Sequence, residues 1–138
     1  MPQRDIYHDA AKNALEKDGW TITHDPFIIQ FEGRNIYVDL GAELPIAAEK
    51  EGQKIAVEVK SFLGPSEVNE LEKAVGQYVV YEDILSAVEP DRLLFPAVPS
   101  KVFGSIFREP LGQLVIVRRG LKIMVFDPVQ EVVEQWLY

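Results

Sequence analysis

Asp39, Glu58 and Lys60 are the residues whose types and spacing could do chemistry together. They stand in Ile36-Tyr37-Val38-Asp39 and, 19 positions after Asp39, in Glu58-Val59-Lys60. Strand side chains alternate, so Glu58 and Lys60 project from one face while Val57 and Val59 enter the other. A strand-mate Asp39 beside them would give two converging carboxylates. With a backbone oxygen at Val59 and with water, that pair makes a site for Mg²⁺ or Mn²⁺, because Mg²⁺ keeps several of its waters and needs only one or two acidic ligands. Such a cation lowers the pKa of an attacking water and neutralises a phosphodiester oxygen, while a neighbouring lysine orients that water or stabilises the developing charge. That is hydrolytic nuclease chemistry.

A bare Glu-x-Lys should arise about once by chance in a chain this long and this acidic, so only the full arrangement carries weight. The competing reading makes Glu58 and Lys60 a solvated strand face and Asp39 a turn cap. Gln77 and Tyr81 lie four apart and share a helix face, expected to turn toward the pocket of Lys60; a half-buried packing face is the plainer alternative. Glu43 and Glu49 could add a ligand, although exposure in a hairpin is simpler, and Glu16 could reach across from the first helix. His8-Asp9 would suit a metal phosphohydrolase, but that chemistry needs several further histidines and only His24 remains. Ser66 lacks a nucleophile elbow, and no glycine-rich phosphate loop occurs.

These residues need elements to position them. Asp5 reads as an N-cap and Ile6, Ala10 and Ala14 recur at helical spacing before Gly19, giving a first helix over Asp5 to Asp18. The stretch from Trp20 to Glu43 is rich in β-branched and aromatic residues and broken by Asp25-Pro26 and Gly33, so it reads as short strands. Two extended runs flank Glu51-Gly52 as a hairpin, whose second arm, Lys54 to Ser61, is the clearest strand. Ser66 caps a second helix running to about Ala87. Arg92 to Val98 is a buried-type strand, and Ser100 opens a third helix ending before Pro110. Residues 111–119 follow helical spacing with Gly120 as a C-terminal cap, though a strand over Leu114 to Val117 fits nearly as well. Leu121 to Phe126 and Val132 to Leu137 are the last strands. The order implies an α/β fold, one domain with a mixed sheet flanked by helices.

Composition bounds the rest. The chain has 138 residues, 47% of them hydrophobic and 26% charged, and no cysteine. That suits one globular core and a reducing cytoplasm, and removes disulfides, thiolate zinc sites and cysteine nucleophiles. No apolar run approaches the roughly 20 residues of a membrane helix, and the start lacks the pattern of a secretory signal. Net charge is −8, the wrong sign for a broad phosphate-gripping face. Residues 1–91 hold 8 Lys and Arg against 18 Asp and Glu, whereas residues 92–138 hold 6 against 4. Phosphate affinity is therefore expected near Arg108, Arg118, Arg119 and Lys122, and the acidic remainder could meet a basic partner protein.

The Asp39, Glu58-Val59-Lys60 arrangement resembles the PD-(D/E)XK nucleases, with Val38 where a proline often stands and Gln77-x-x-x-Tyr81 looking like the Q-x-x-x-Y element of their RecB-like branch. This resemblance implies a restriction-endonuclease-like fold and places Gln77 and Tyr81 near the site. More closely, the whole chain resembles the XisH family of fdxN-element excision controlling factors. RDIYHDAAKNALEKDGWTITHDP, VDLGAE, AAEKEGQKIAVEVKSF and GQYVVY carry that resemblance. It implies an accessory role, with an XisI-like partner protein, in excising a DNA element by site-specific recombination, the strand exchange belonging to a separate recombinase. Two functions stay open: a metal-dependent nuclease-like protein acting on DNA, alone or in complex, and a non-enzymatic control module that binds a partner. Homo-oligomer formation is left open.

Overall fold

The computed structural model describes residues 5–44 and 52–138. Helix α1 (His8–Lys17) is followed by β1 (Thr21–His24), β2 (Phe27–Phe31), β3 (Arg34–Val38), β4 (Leu40–Leu44) and β5 (Gln53–Val59). The long helix α2 (Glu67–Val88) leads to β6 (Arg92–Pro99), the short α3 (Ser100–Phe103), a 3₁₀ turn (Ile106–Arg108), α4 (Pro110–Arg119), β7 (Ile123–Asp127) and β8 (Val132–Leu137). One six-stranded sheet runs in the order β1-β4-β5-β6-β7-β8, and β2 with β3 forms a separate two-stranded ribbon. The β5–β6 and β6–β7 pairs are parallel and the other neighbours antiparallel. This is the mixed sheet flanked by helices that the element order implies.

Alternation along β5 divides the core. Ile55, Val57 and Val59 join Ala10, Ala11, Ala14 and Leu15 of α1 on one face of the sheet. Ala56 joins Leu71, Tyr78 and Leu85 of α2 on the other. The strand β6 is covered on both faces, which is why it reads as a nearly continuous apolar run. Pro96 sits inside it opposite Glu58. Its neighbour Ala97 accepts the Lys60 N–H at 2.8 Å, so Ala97 faces β5 and Pro96 faces the β7 side, where pairing starts only at Ala97. A missing N–H costs nothing there.

Two readings of the sequence change. Asp5 is not the cap of α1: Tyr7 holds that position, and Asp5 Oδ1 instead accepts the Tyr7 N–H at 2.9 Å in a turn that precedes the helix. The third helix does not continue to Pro110. Gly104 ends α3, a single 3₁₀ turn follows, and Glu109, held extended by the next proline, separates that turn from α4. The hairpin arm upstream of Glu51 falls outside the described residues; the antiparallel partner of β5 is β4. Residues 111–119 are helical, and Gly120 closes α4 at φ 58°, ψ 43°, the left-handed cap that its position predicts.

Asp18 follows α1, and its Oδ2 accepts the indole N–H of Trp20 at 3.3 Å and of Trp136 at 3.1 Å. The two rings lie 5.6 Å apart between centroids, tying α1 to the edge strand β8.

Candidate functional site

The junction between β3 and β4 places Asp39 beside the end of β5, where its Oδ2 accepts the Val59 backbone N–H at 2.7 Å. A strand residue directs its N–H and C=O toward the same neighbour, so the Val59 carbonyl lies on the Asp39 side. Glu58 leaves β5 on the α2 face and lies close enough to Asp39 for the two carboxylates to act on one another. Burial, reinforced by the Asp39 charge and outweighing the pull of the Lys60 ammonium, pushes the Glu58 carboxyl up to about 9. Its Oε2 is buried and has no partner. Asp39, Glu58, Val59 and Lys60 line one cleft of about 280 Å³, with Asp5, Ser61 and Glu70 among its other walls.

Gln77 and Tyr81 reach the same strand from α2. The Gln77 amide donates to the Tyr81 hydroxyl at 3.0 Å, and both border a narrow gap shared with Glu58 and Lys60. Burial and then the charge of Glu58 raise the Tyr81 phenol above its ordinary value, against the hydrogen bond from Gln77. Glu16 does not reach this place. It is exposed on α1 and lines a separate hollow with Lys12, Trp20 and His24. Glu43 lies at the far end of β4, paired with Lys54, about four residues or 13 Å from Asp39. Glu49 is outside the described residues.

Sequence reasoning missed three neighbours. Asp5 Oδ2 accepts both the Ser61 N–H at 3.2 Å and the Ser61 hydroxyl at 2.8 Å, clamping the chain start to the end of β5. His8 is 3% exposed; its Nε2 lies 2.8 Å from Asp25 Oδ1 and its Nδ1 3.9 Å from Asp39 Oδ1. Asp25 in turn takes Lys12 Nζ at 2.9 Å. Only the position of a histidine on the apolar stripe of α1 hints at this.

Among the described residues, no group of three or more His, Asp and Glu side chains is placed to hold a metal ion. What the cleft could offer a metal is a carboxylate pair helped by main chain, a set that would fit a hard, heavily hydrated cation better than zinc. Two carboxylates forced together with an unpartnered buried oxygen suit a cation, because the alternative is to hold a proton far above the usual carboxylate range.

Comparison with known proteins agrees with this architecture. Residues 1–134 match the family model described as XisH protein. The crystal structure of an fdxN element excision controlling factor protein from Anabaena variabilis is 42% identical, with TM-score 0.86 over 98% of this chain and all of the other. An XisH family protein from Nostoc punctiforme is 39% identical, with TM-score 0.86 over 97% of this chain and all of the other. No curated protein matches. The family match spans nearly the whole sequence and both solved relatives are covered end to end, so the chain belongs to the XisH family.

Proposed function

We propose that the chain controls excision of a DNA element and does so through a Mg²⁺- or Mn²⁺-dependent phosphodiester-hydrolysing centre at Asp39, Glu58 and Lys60. The role in excision control rests on family membership and on the name of the Anabaena relative. The chemistry rests on one observation: the Asp39 carboxylate is pinned by the Val59 N–H against a buried Glu58 whose lysine neighbour shares the cleft.

In this reading Asp39, Glu58 and the Val59 carbonyl hold the cation, which when bound supplies Lewis-acid polarisation of the phosphodiester and an acidified water. Val59 keeps Asp39 in one rotamer, so little reorganisation is needed on binding. Lys60 brings a positive charge to the phosphoryl oxygens. Gln77 and Tyr81 form a fixed polar pair at the α2 edge and orient Lys60.

A second reading, a control module that acts by binding a protein of the XisI kind in the cytoplasm, draws on the cleft itself. Asp5 and Glu70 join Asp39 and Glu58 in lining it, and Lys60 is the one cation there among the described residues. Such a mouth repels phosphate unless a metal or a basic partner compensates.

Cleavage of single-stranded, duplex and branched DNA in Mg²⁺ or Mn²⁺, by the protein alone and with its XisI-like partner, separates the two. The nuclease reading expects metal-dependent cleavage in at least one mixture, abolished by Glu58→Ala and by Lys60→Ala. Glu58→Ala should also weaken the metal, and Asp39→Asn should match it, whereas Lys60→Ala should leave metal affinity equal or higher. No cleavage by the complex, with normal excision in cells by the Glu58→Ala, Lys60→Ala double variant, would leave the control module standing.

A further inference from the structure

Behind Asp39, on the side away from β5, lies a line of polar groups, half-buried at Lys12 and Asp25 and buried at His8, that the proposed chemistry does not use. Lys12 Nζ meets Asp25 Oδ2 at 2.9 Å, Asp25 Oδ1 meets His8 Nε2 at 2.8 Å, and His8 Nδ1 faces Asp39 Oδ1 at 3.9 Å. His8 is 3% exposed and its Nδ1 has no hydrogen-bond partner. A buried ring nitrogen left unsatisfied is costly, so its orientation asks for a reason.

The reason is in the other nitrogen. An ionised carboxylate only accepts, so Asp25 fixes the Nε2 proton and the plane of the ring. Lys12 and His8 together hold Asp25 below the usual carboxylate range against the opposing effect of burial, so it stays ionised and keeps that grip. The ring, buried on the first turn of α1, then faces Asp39 Oδ1 while Val59 holds Oδ2. Asp39 thus has a hydrogen bond from β5 on one side and the packed His8 ring of α1, at 3.9 Å, on the other.

We infer that His8 is a positioning residue for Asp39: braced by Asp25, it fixes the carboxylate that receives the divalent cation and so sets metal affinity. The inference rests on the metal-centre reading above. Groups that orient a metal ligand from behind are worth about 10–100-fold in affinity, the size expected here.

The test is Mn²⁺ binding to the full chain, by calorimetry and by the electron paramagnetic resonance line of bound Mn²⁺, with unfolding temperature measured alongside. His8→Gln keeps a donor near Asp25 but places nothing where Nδ1 faces Asp39. His8→Asn does the reverse, and Asp25→Asn leaves the ring in place while weakening the carboxylate that braces it, along with its pairing to Lys12. His8→Gln is expected to weaken Mn²⁺ binding about 10–100-fold and broaden the resonance, His8→Asn to restore most of the affinity, and Asp25→Asn to fall between them. Wild-type binding with unchanged affinity in folded His8→Gln and Asp25→Asn would overturn the role of His8 and spare the metal centre. Absence of Mn²⁺ binding by the wild type would overturn both.

Discussion

Glu58 is the residue on which the site turns, and its energetics are measurable without any substrate. Its carboxyl is raised from an ordinary 4.5 to about 9, first by burial and next by Asp39. The folded chain therefore holds a proton that the unfolded chain releases above about pH 4.5. Stability conferred by this proton is complete below that pH and is lost as pH rises through 9, the reverse of a salt-bridged carboxylate. Glu58→Gln keeps the shape and stays neutral. Its melting temperature should exceed that of the wild type by a margin that widens between about pH 5 and pH 9, by roughly 3 °C for each kcal/mol removed. Equal pH profiles for the two proteins would show that Glu58 is not held in a low-dielectric site.

At the scale of elements, α4 and the 3₁₀ turn that leads into it approach one another backbone to backbone. A β-carbon on Gly112 would stand 2.1 Å from the Ile106 carbonyl oxygen and 2.7 Å from Phe107 Cα, both backbone atoms with little room to give. Alanine favours a helix over glycine by about 1 kcal/mol, yet the backbone clash outweighs it. Gly112→Ala should destabilise the fold by about 1–3 kcal/mol in denaturant unfolding, and a stabilised variant would contradict the packing described. Elements with strong local periodicity are legible in the amino-acid sequence: α1, α2 with its Ser66 cap, β5, and α4 with Gly120. The alternation that puts Glu58 and Lys60 on one side of β5 is legible too. What periodicity does not carry is contact between segments distant in sequence. His8, Asp25 and Asp39 meet only because α1 packs on the sheet, and Asp5 looks like a helix cap until Ser61 takes its carboxylate. The broken helix after Ser100 reflects backbone preference at Gly104 and Pro110 that the apolar pattern masks.

Across the whole molecule, charge and chain order coincide. Asp5, His8, Asp39, Glu58, Lys60, Gln77 and Tyr81 all come from the first 91 residues, which carry 18 acidic groups against 8 basic. Among the described residues no helix is long and apolar enough to cross a membrane. A basic partner of this surface should associate faster as salt is lowered, by about tenfold or more across the range where the Debye length changes from roughly 8 to 30 Å. Stopped-flow association rates that stay flat with ionic strength would argue against an electrostatically guided encounter. The tryptophan pair adds a practical consequence. The chain has two tryptophans, and both lie against one another over Asp18 on the α1 side of the sheet. Tryptophan emission consequently comes from one pair of neighbouring rings, a single chromophore that joins the first quarter of the sequence to its last strand. That chromophore reports when the two ends of the chain have closed and stays largely silent about events around Glu58.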